Sequence, residues 1–194
     1  MSLIEKQPVE YPLLQPNISS TLMMLIEGTP VSSPIVNTVV STIVRKAQEI
    51  DIKPLVKLCK ESLLASYGEL VEAERLRPWS EGGDIEKYVQ GIWPDMLVAV
   101  DGPDLVGMLA LQGNRIDIVW VAQALRQQGI GQMLMDTAEE QVALTCKSIE
   151  VECLGPDIQT IQFYEDRGYV RVKEYVDNMS GVDKIVMSRT LESV

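Results

Sequence analysis

There is no histidine anywhere in the 194 residues of this chain. Serine–histidine and cysteine–histidine catalysis are therefore excluded, and any acid–base work falls to carboxylates, Tyr, Lys, Cys, the termini or water. Cysteine is scarce as well. Cys59, Cys146 and Cys153 lack metal-ligand spacing, and without histidine a zinc site would need three thiolates plus carboxylates, so no metal is expected. No apolar run approaches the roughly 18 residues that mark a membrane span, and no basic flank followed by an apolar block marks a secretory signal. The expectation is a soluble, cytoplasmic protein that does not engage a membrane. Positive charge is also short: 17 Lys and Arg against 28 Asp and Glu leave a net charge of −11. Binding to nucleic acid phosphates depends on clustered Lys and Arg and is not expected; a cationic or neutral partner suits the charge better.

What is present is enough apolar material, 46% of residues, for one sizeable core. Residues 1–41 read as an N-terminal extension, partly extended, with Pro8, Pro12, Pro16, Pro30 and Pro34 around one apolar patch, "TLMMLIEG". That patch could dock on the domain or on a second copy, and together with exposed strand edges it makes a homodimer plausible. Residues 42–194 form the domain. A strand in "STIVRKAQ" leads to a helix through "DIKPLVKLCKESLLASYG", whose Leu55, Leu58, Ser62 and Leu63 keep one face and which Gly68 stops. A less regular helical region follows, broken by Pro78 and Gly82–Gly83. "DMLVAVDG", "DLVGMLALQG" and "NRIDIVWVA" then read as three strands whose short turns imply antiparallel neighbours. A helix opening at "RQQGIG" crosses over to the strand "SIEVECLG", which implies a parallel pair. A short helix, "DIQTIQFYEDR", and the strands "YVRVKEYV" and "KIVMSRTLE" complete the chain. The fold class is α+β in three layers: a mixed, largely antiparallel central sheet with one parallel pair, flanked by helices.

In "VWVAQALRQQGIGQMLMDTAEE" a strand, a glycine-rich turn and a helix start coincide. Such a junction gathers unpaired N–H groups and attracts anions. Gly129 and Gly131 let a phosphate approach the main chain, and Arg126 can add a charge-assisted bond. Each helix-terminus contribution is about 0.3–1 kcal/mol, so several amides must converge. Ile130, Leu134, Ala138 and Val142, at fourfold spacing, bury one helix face and hold that start against the sheet. A dinucleotide fingerprint is excluded because Leu134 replaces its third glycine, and a P-loop because no Gly-Lys-Ser/Thr follows.

The order Arg126, Gln127, Gln128, Gly129, Ile130, Gly131 after a strand resembles the coenzyme A pyrophosphate loop of the GNAT N-acyltransferase superfamily. A second motif agrees: Phe163, Tyr164, Glu165, Gly168 and Tyr169 match the ending of that family's next helix, with Asp157 at the usual Asn position and Thr160 at a common Ala position. The resemblance covers roughly residues 42–190. It implies acetyl-coenzyme A as cosubstrate, held where two parallel strands splay. The main chain of Val119, Trp120 and Val121 would bond the pantetheine arm, and the amides of Gln127, Gln128, Gly129, Ile130, Gly131 and Gln132 would cradle the pyrophosphate. Asp157 and Tyr164 would also border the coenzyme.

Acetyl transfer from a thioester to an amine needs a proton for the departing thiolate, and Tyr164 is the residue matched to that role. A phenol near pKa 10 is protonated at neutral pH. Asp117 is the candidate base, at shared strand parity with Val119 and Val121, with Glu152 on the neighbouring strand as its alternative; Arg115 stands at the position where some relatives carry a glutamate. Cys153 fits a small buried residue of an alternating strand better than a covalent nucleophile. Asp157 can cap a helix as Asn does but cannot donate, which puts a coenzyme contact in question. The acceptor, a small-molecule or peptide amine, would meet the variable helical region, where Glu69, Glu72, Glu74, Asp84 and Glu86 could attract a cation and Trp79 and Trp93 could wall its alkyl part. Equally, those acids form a solvated face and the tryptophans anchor a loop. The expected function is an N-acetyltransferase acting by direct attack in a ternary complex; the alternative is a degenerate domain that binds acyl-coenzyme A as a sensing or interaction module.

Overall fold

The computed structural model describes residues 42–68, 71–178 and 181–192; the N-terminal extension with its apolar patch, and Glu69, lie outside them. Strands β1 (Ile43–Lys46), β2 (Met96–Asp101), β3 (Asp104–Gln112), β4 (Arg115–Val121), β5 (Ser148–Leu154), β6 (Val170–Val176) and β7 (Asp183–Thr190) make one sheet in the order β1-β2-β3-β4-β5-β7-β6. Helices α1 (Ile52–Tyr67), α2 (Ala73–Ser80) and α3 (Asp84–Ile92) lie between β1 and β2; α4 (Ile130–Ala143) joins β4 to β5 and α5 (Ile158–Asp166) joins β5 to β6. Every neighbouring pair is antiparallel except β4 and β5, which the α4 crossover makes parallel. The last two strands do not simply extend the sheet outward. β7 inserts between β5 and β6 because its Ile185 and Met187 are buried, whereas β6 is exposed along nearly its whole length and takes the edge.

Two apolar layers cover the sheet. One packs Ile130, Leu134, Met135, Ala138 and Val142 of α4 and Ile161 of α5 against Leu109, Ile116, Ile149, Val151 and Met187. The other packs Leu55, Leu58 and Leu63 of α1 and Val89 of α3 against Met96, Val98, Met108 and Ala110. The helical spacing read from Ile130 to Val142 therefore does bury one continuous face, and so does the Leu55–Leu63 face of α1. α4 is seated very close to the sheet at Gly107 of β3. A Cβ built there would stand 3.0 Å from Ile130 Cγ2 and 3.1 Å from Leu134 Cδ1. This close approach fixes where the first turn of α4 begins relative to β4. On the same layer, the Glu139 carboxylate, largely buried, accepts from Arg167, Arg189 and Tyr169, tying α4 to the end of α5 and to β7. No helix among the described residues is long and apolar enough to cross a membrane.

Candidate active site

The site exists because two parallel neighbours part company. β4 and β5 pair only at Arg115–Glu150 and Ile116–Val151, although β4 continues to Val121 and β5 to Leu154. A bulge in β4 starts the divergence: Leu111 pairs with Ile116 and Ala110 with Ile118, so Asp117 is the extra residue. Between the diverging strands lies a cleft of about 440 Å³.

At one end of the cleft stands the start of α4. Gly129 precedes the helix in the left-handed conformation (φ 86°), and Gln127 is the single non-glycine among the described residues with a positive φ, 62°. A side chain in that region costs about 1–2 kcal/mol, so the loop is held rather than relaxed. The amides of Gln127 through Gln132 donate to no described residue. A Cβ on Gly131 would meet nothing nearer than Phe163 Cζ at 3.8 Å and Val121 Cγ2 at 3.9 Å, so glycine leaves this stretch of main chain open to the cleft. Six consecutive free N–H groups at a helix start form a strong anion cradle. Arg126 is partly held beside it, donating from Nε to the Val121 carbonyl at 3.3 Å and reaching Ser66 Oγ at 3.5 Å.

Deeper in the cleft stands Tyr164, whose ring packs edge-on against Phe163 and tilted against Tyr169, with centroids 5.3 and 5.6 Å away. Its hydroxyl bonds to no described residue, and burial raises the phenol well above its ordinary value. Tyr164 therefore carries its proton throughout the physiological range. Asp157 caps α5: one carboxylate oxygen accepts from Thr160 N at 3.0 Å and the other from Thr160 Oγ1 at 2.7 Å. Cys153 donates to the Ile185 carbonyl at 3.7 Å, and burial pushes its thiol up to about 11, so it is a neutral, packed residue rather than a thiolate.

The two carboxylates behave differently. Burial opposes ionisation of Glu152, but Lys184 at 2.7 Å, the Tyr175 hydroxyl and Arg115 at 3.0 Å outweigh it and hold the carboxyl below its usual range. A carboxylate so fully engaged makes a poor base. Burial raises Asp117, against the opposing pull of Arg115, whose Nε lies 3.5 Å away; its hydrogen-bond partner is the neutral side-chain amide of Gln112. The bulge also corrects the parity expected from the sequence. Val119 and Val121 pack with the α4 layer and Ile118 and Trp120 with the α1–α3 layer, while Asp117 turns toward Gln112 and Arg115 of the β3–β4 hairpin.

Of the residues singled out from the sequence, Asp117, Val119, Trp120, Val121, Arg126, Gln127, Gly129, Gly131, Gln132, Asp157 and Tyr164 all border this one cleft. Gln128 and Ile130 do not: Gln128 bonds back to the Ala124 carbonyl, and the Ile130 side chain is buried under α4, so only their amides belong to the cradle. Sequence reasoning missed Tyr67, the last residue of α1, which borders the cleft from the opposite layer; burial, reinforced by Glu152, pushes its phenol up to about 12. A tyrosine directly before the helix-stopping Gly68 was the available signal. Among the described residues, the four acids singled out in the variable region each stand beside a basic side chain. Glu72 lies 4.0 Å from Arg75, Glu74 2.9 Å from Arg77, Asp84 3.0 Å from Lys87 and Glu86 2.6 Å from Lys60. Trp79 and Trp93 pack on the α1–α3 layer, Trp79 edge-on to Tyr88; Trp79 does so from within α2 and so anchors a helix rather than a loop.

Residues 93–171 match a family model described as an acetyltransferase (GNAT) domain. N-alpha-acetyltransferase 30 of Dictyostelium discoideum is 26% identical over 123 residues, 58% of this chain and 65% of that protein. The chain thus spans just under two thirds of that relative's length. A GCN5-related N-acetyltransferase structure from Rhodopseudomonas palustris superposes with a TM-score of 0.68 at 19% identity, over 78% of this chain and 96% of that one. The PaiA N-acetyltransferase of Thermoplasma acidophilum, solved in complex with coenzyme A, gives 0.64 at 17% identity, over 77% of this chain and 99% of that one. At these identities the structural likeness is one of fold.

Proposed function

We propose that this chain, a member of the GNAT acetyltransferase superfamily, is an N-acetyltransferase that moves the acetyl group of acetyl-coenzyme A to a primary amine by direct attack in a ternary complex. The observation that carries this reading is the run of free amides from Gln127 to Gln132, opening on the same cleft as the unpartnered Tyr164 hydroxyl. The residues fit the coenzyme: six donors and Arg126 suit a pyrophosphate, and β4 beyond Ile116, released from β5, leaves the main chain of Val119 and the Val121 amide to orient a pantetheine arm, the Val121 carbonyl being held by Arg126. The coenzyme supplies an activated carbonyl and a thiolate leaving group. Asp117, the carboxylate with the raised pKa, takes the proton of the attacking amine through water as the C–N bond forms. Tyr164 gives its hydroxyl proton to the sulfur as the C–S bond breaks, and water restores it. Placement in one cleft supplies the remaining advantage by alignment.

The test is release of free coenzyme A thiol with an amine panel, run beside Tyr164→Phe. The expected result is a kcat loss of about 10²–10⁴-fold with coenzyme binding retained; an equal kcat in the variant removes Tyr164 from the chemistry. One observation favours a second reading, in which the domain binds acyl-coenzyme A as a sensing or interaction module. Both oxygens of Asp157 are taken by Thr160 and the carboxylate offers no donor toward the coenzyme. Coenzyme binding without turnover on any amine would select that reading, with Asp157→Asn as the variant to restore activity.

A further inference from the structure

We propose that the acceptor is a primary amine with a single positive charge and an apolar, ring-sized body beside it, and that polyamines are rejected. The inference rests on reading the cleft as an acyl-transfer site. The anion cradle occupies the α4 side, so an acceptor approaches along the opposite wall, made by the α1–α3 layer. That wall is apolar where it borders the cleft: Tyr67, Ile118 and Trp120 all pack on this layer. Flat aromatic and branched aliphatic surfaces of this kind favour a hydrophobic body over a chain of ammonium groups.

Charge around the wall points the same way. Asp117 borders the cleft with one hydrogen bond, from the neutral side-chain amide of Gln112, and with Arg115 Nε 3.5 Å away, so it can meet one ammonium. Of the two other acids there, Glu152 already holds Lys184, Arg115 and the Tyr175 hydroxyl, and Asp157 gives both oxygens to Thr160 as the cap of α5. A second ammonium would therefore face Arg115 and Lys184 instead of a free acid. Glu72, Glu74, Asp84 and Glu86, the acids that could have gathered a polycation, are matched by nearby basic side chains and do not border the cleft. Discrimination thus has an attractive element, the apolar wall, and a repulsive one, the fixed cation pair.

Two measurements decide it. In thiol-release kinetics, kcat/KM for phenethylamine is expected to exceed that for spermidine by at least ~10-fold, and Trp120→Leu to narrow that ratio. Calorimetric titration of the coenzyme A-bound protein with the same two amines reads the preference without turnover, so a silent enzyme still gives an answer. Preference in binding without turnover supports the acceptor class and counts against acetyl transfer. Spermidine equal to or better than phenethylamine in titration, or a kinetic ratio untouched by Trp120→Leu, overturns the proposal. Phenylalanyl-glycyl-glycine amide, run in parallel, tells a peptide α-amine from a free amine of the same chemistry: the better substrate of the two identifies the source.

Discussion

Gly107→Ala should disturb both stability and coenzyme binding, although Gly107 does not border the cleft. Its φ is not positive, so the added methyl meets a packing limit instead of a backbone one. The new carbon would stand 3.0 Å from Ile130 Cγ2, 3.1 Å from Leu134 Cδ1 and 3.3 Å from the Ala99 methyl. Ordinary carbon contacts lie near 3.5–4.0 Å, so the first turn of α4 must lift by roughly 0.5 Å or more. Ile130 and Leu134 are almost fully buried and have little room to turn aside. Overpacking of this kind costs about 1–3 kcal/mol. In a folded body of this size that corresponds to a fall in Tm of about 2–12 °C. The same lift moves the amides of Ile130, Gly131 and Gln132 off their aim, so coenzyme A affinity should fall as well. The assay pairs a urea unfolding curve with calorimetric titration of coenzyme A. Gly91→Ala serves as control, because a Cβ there meets nothing within 4 Å in an exposed helical position, and a gain of about 0.5–1 kcal/mol is expected. Unchanged stability and affinity in Gly107→Ala would refute the claim that this contact seats the cradle.

Removing the Glu139 carboxylate with Glu139→Ala leaves Arg167 and Tyr169 without their shared acceptor in a largely buried place, and should cost about 3 kcal/mol in denaturant unfolding, with Glu139→Asp recovering part of it. Asp51 receives two bonds from Arg45 and one from the Gln48 amide, which together hold its carboxyl below the ordinary range against burial. Because the folded value is depressed, this stabilisation is complete above the unfolded carboxylate value of about 3.9 and is lost as pH falls through the folded one. Asp51→Asn should therefore flatten the acid limb of stability against pH, and an unaltered limb would deny Asp51 that share. With Asp117 raised by burial, the acid limb of kcat/KM should lie above the usual carboxylate range; Asp117→Asn should abolish it, and a limb that persists assigns the base elsewhere.

Much of this was legible along the chain because the relevant signals are local. The fourfold spacing from Ile130 to Val142, the glycines at 129 and 131, and the Phe163–Tyr169 motif each lie within a few turns of backbone, and each falls where the spacing put it. Asp157 as the cap of α5 belongs with them, since a cap bond spans only three residues. The parity of Asp117 was misread because one extra residue in β4 has no mark in a sequence whose alternation otherwise continues. Whether Glu72, Glu74, Asp84 and Glu86 stand free likewise depends on where their basic neighbours point, which the order of residues alone leaves open.

The sequence by itself determined the layers, the parallel crossover, the glycine-bearing start of α4 and the phenol at the next helix, because periodicity, glycine and capping act over short stretches of chain. Tertiary structure alone decided that β7 inserts between β5 and β6, that Tyr67 reaches the cleft from the other layer, and that Glu152 is held ionised by Lys184 and Arg115 while burial raises the Asp117 carboxyl. Those outcomes depend on burial and on charges brought together from strands and helices far apart in the chain. Desolvation and pairing are properties of the packed assembly, and no local pattern of residues encodes them.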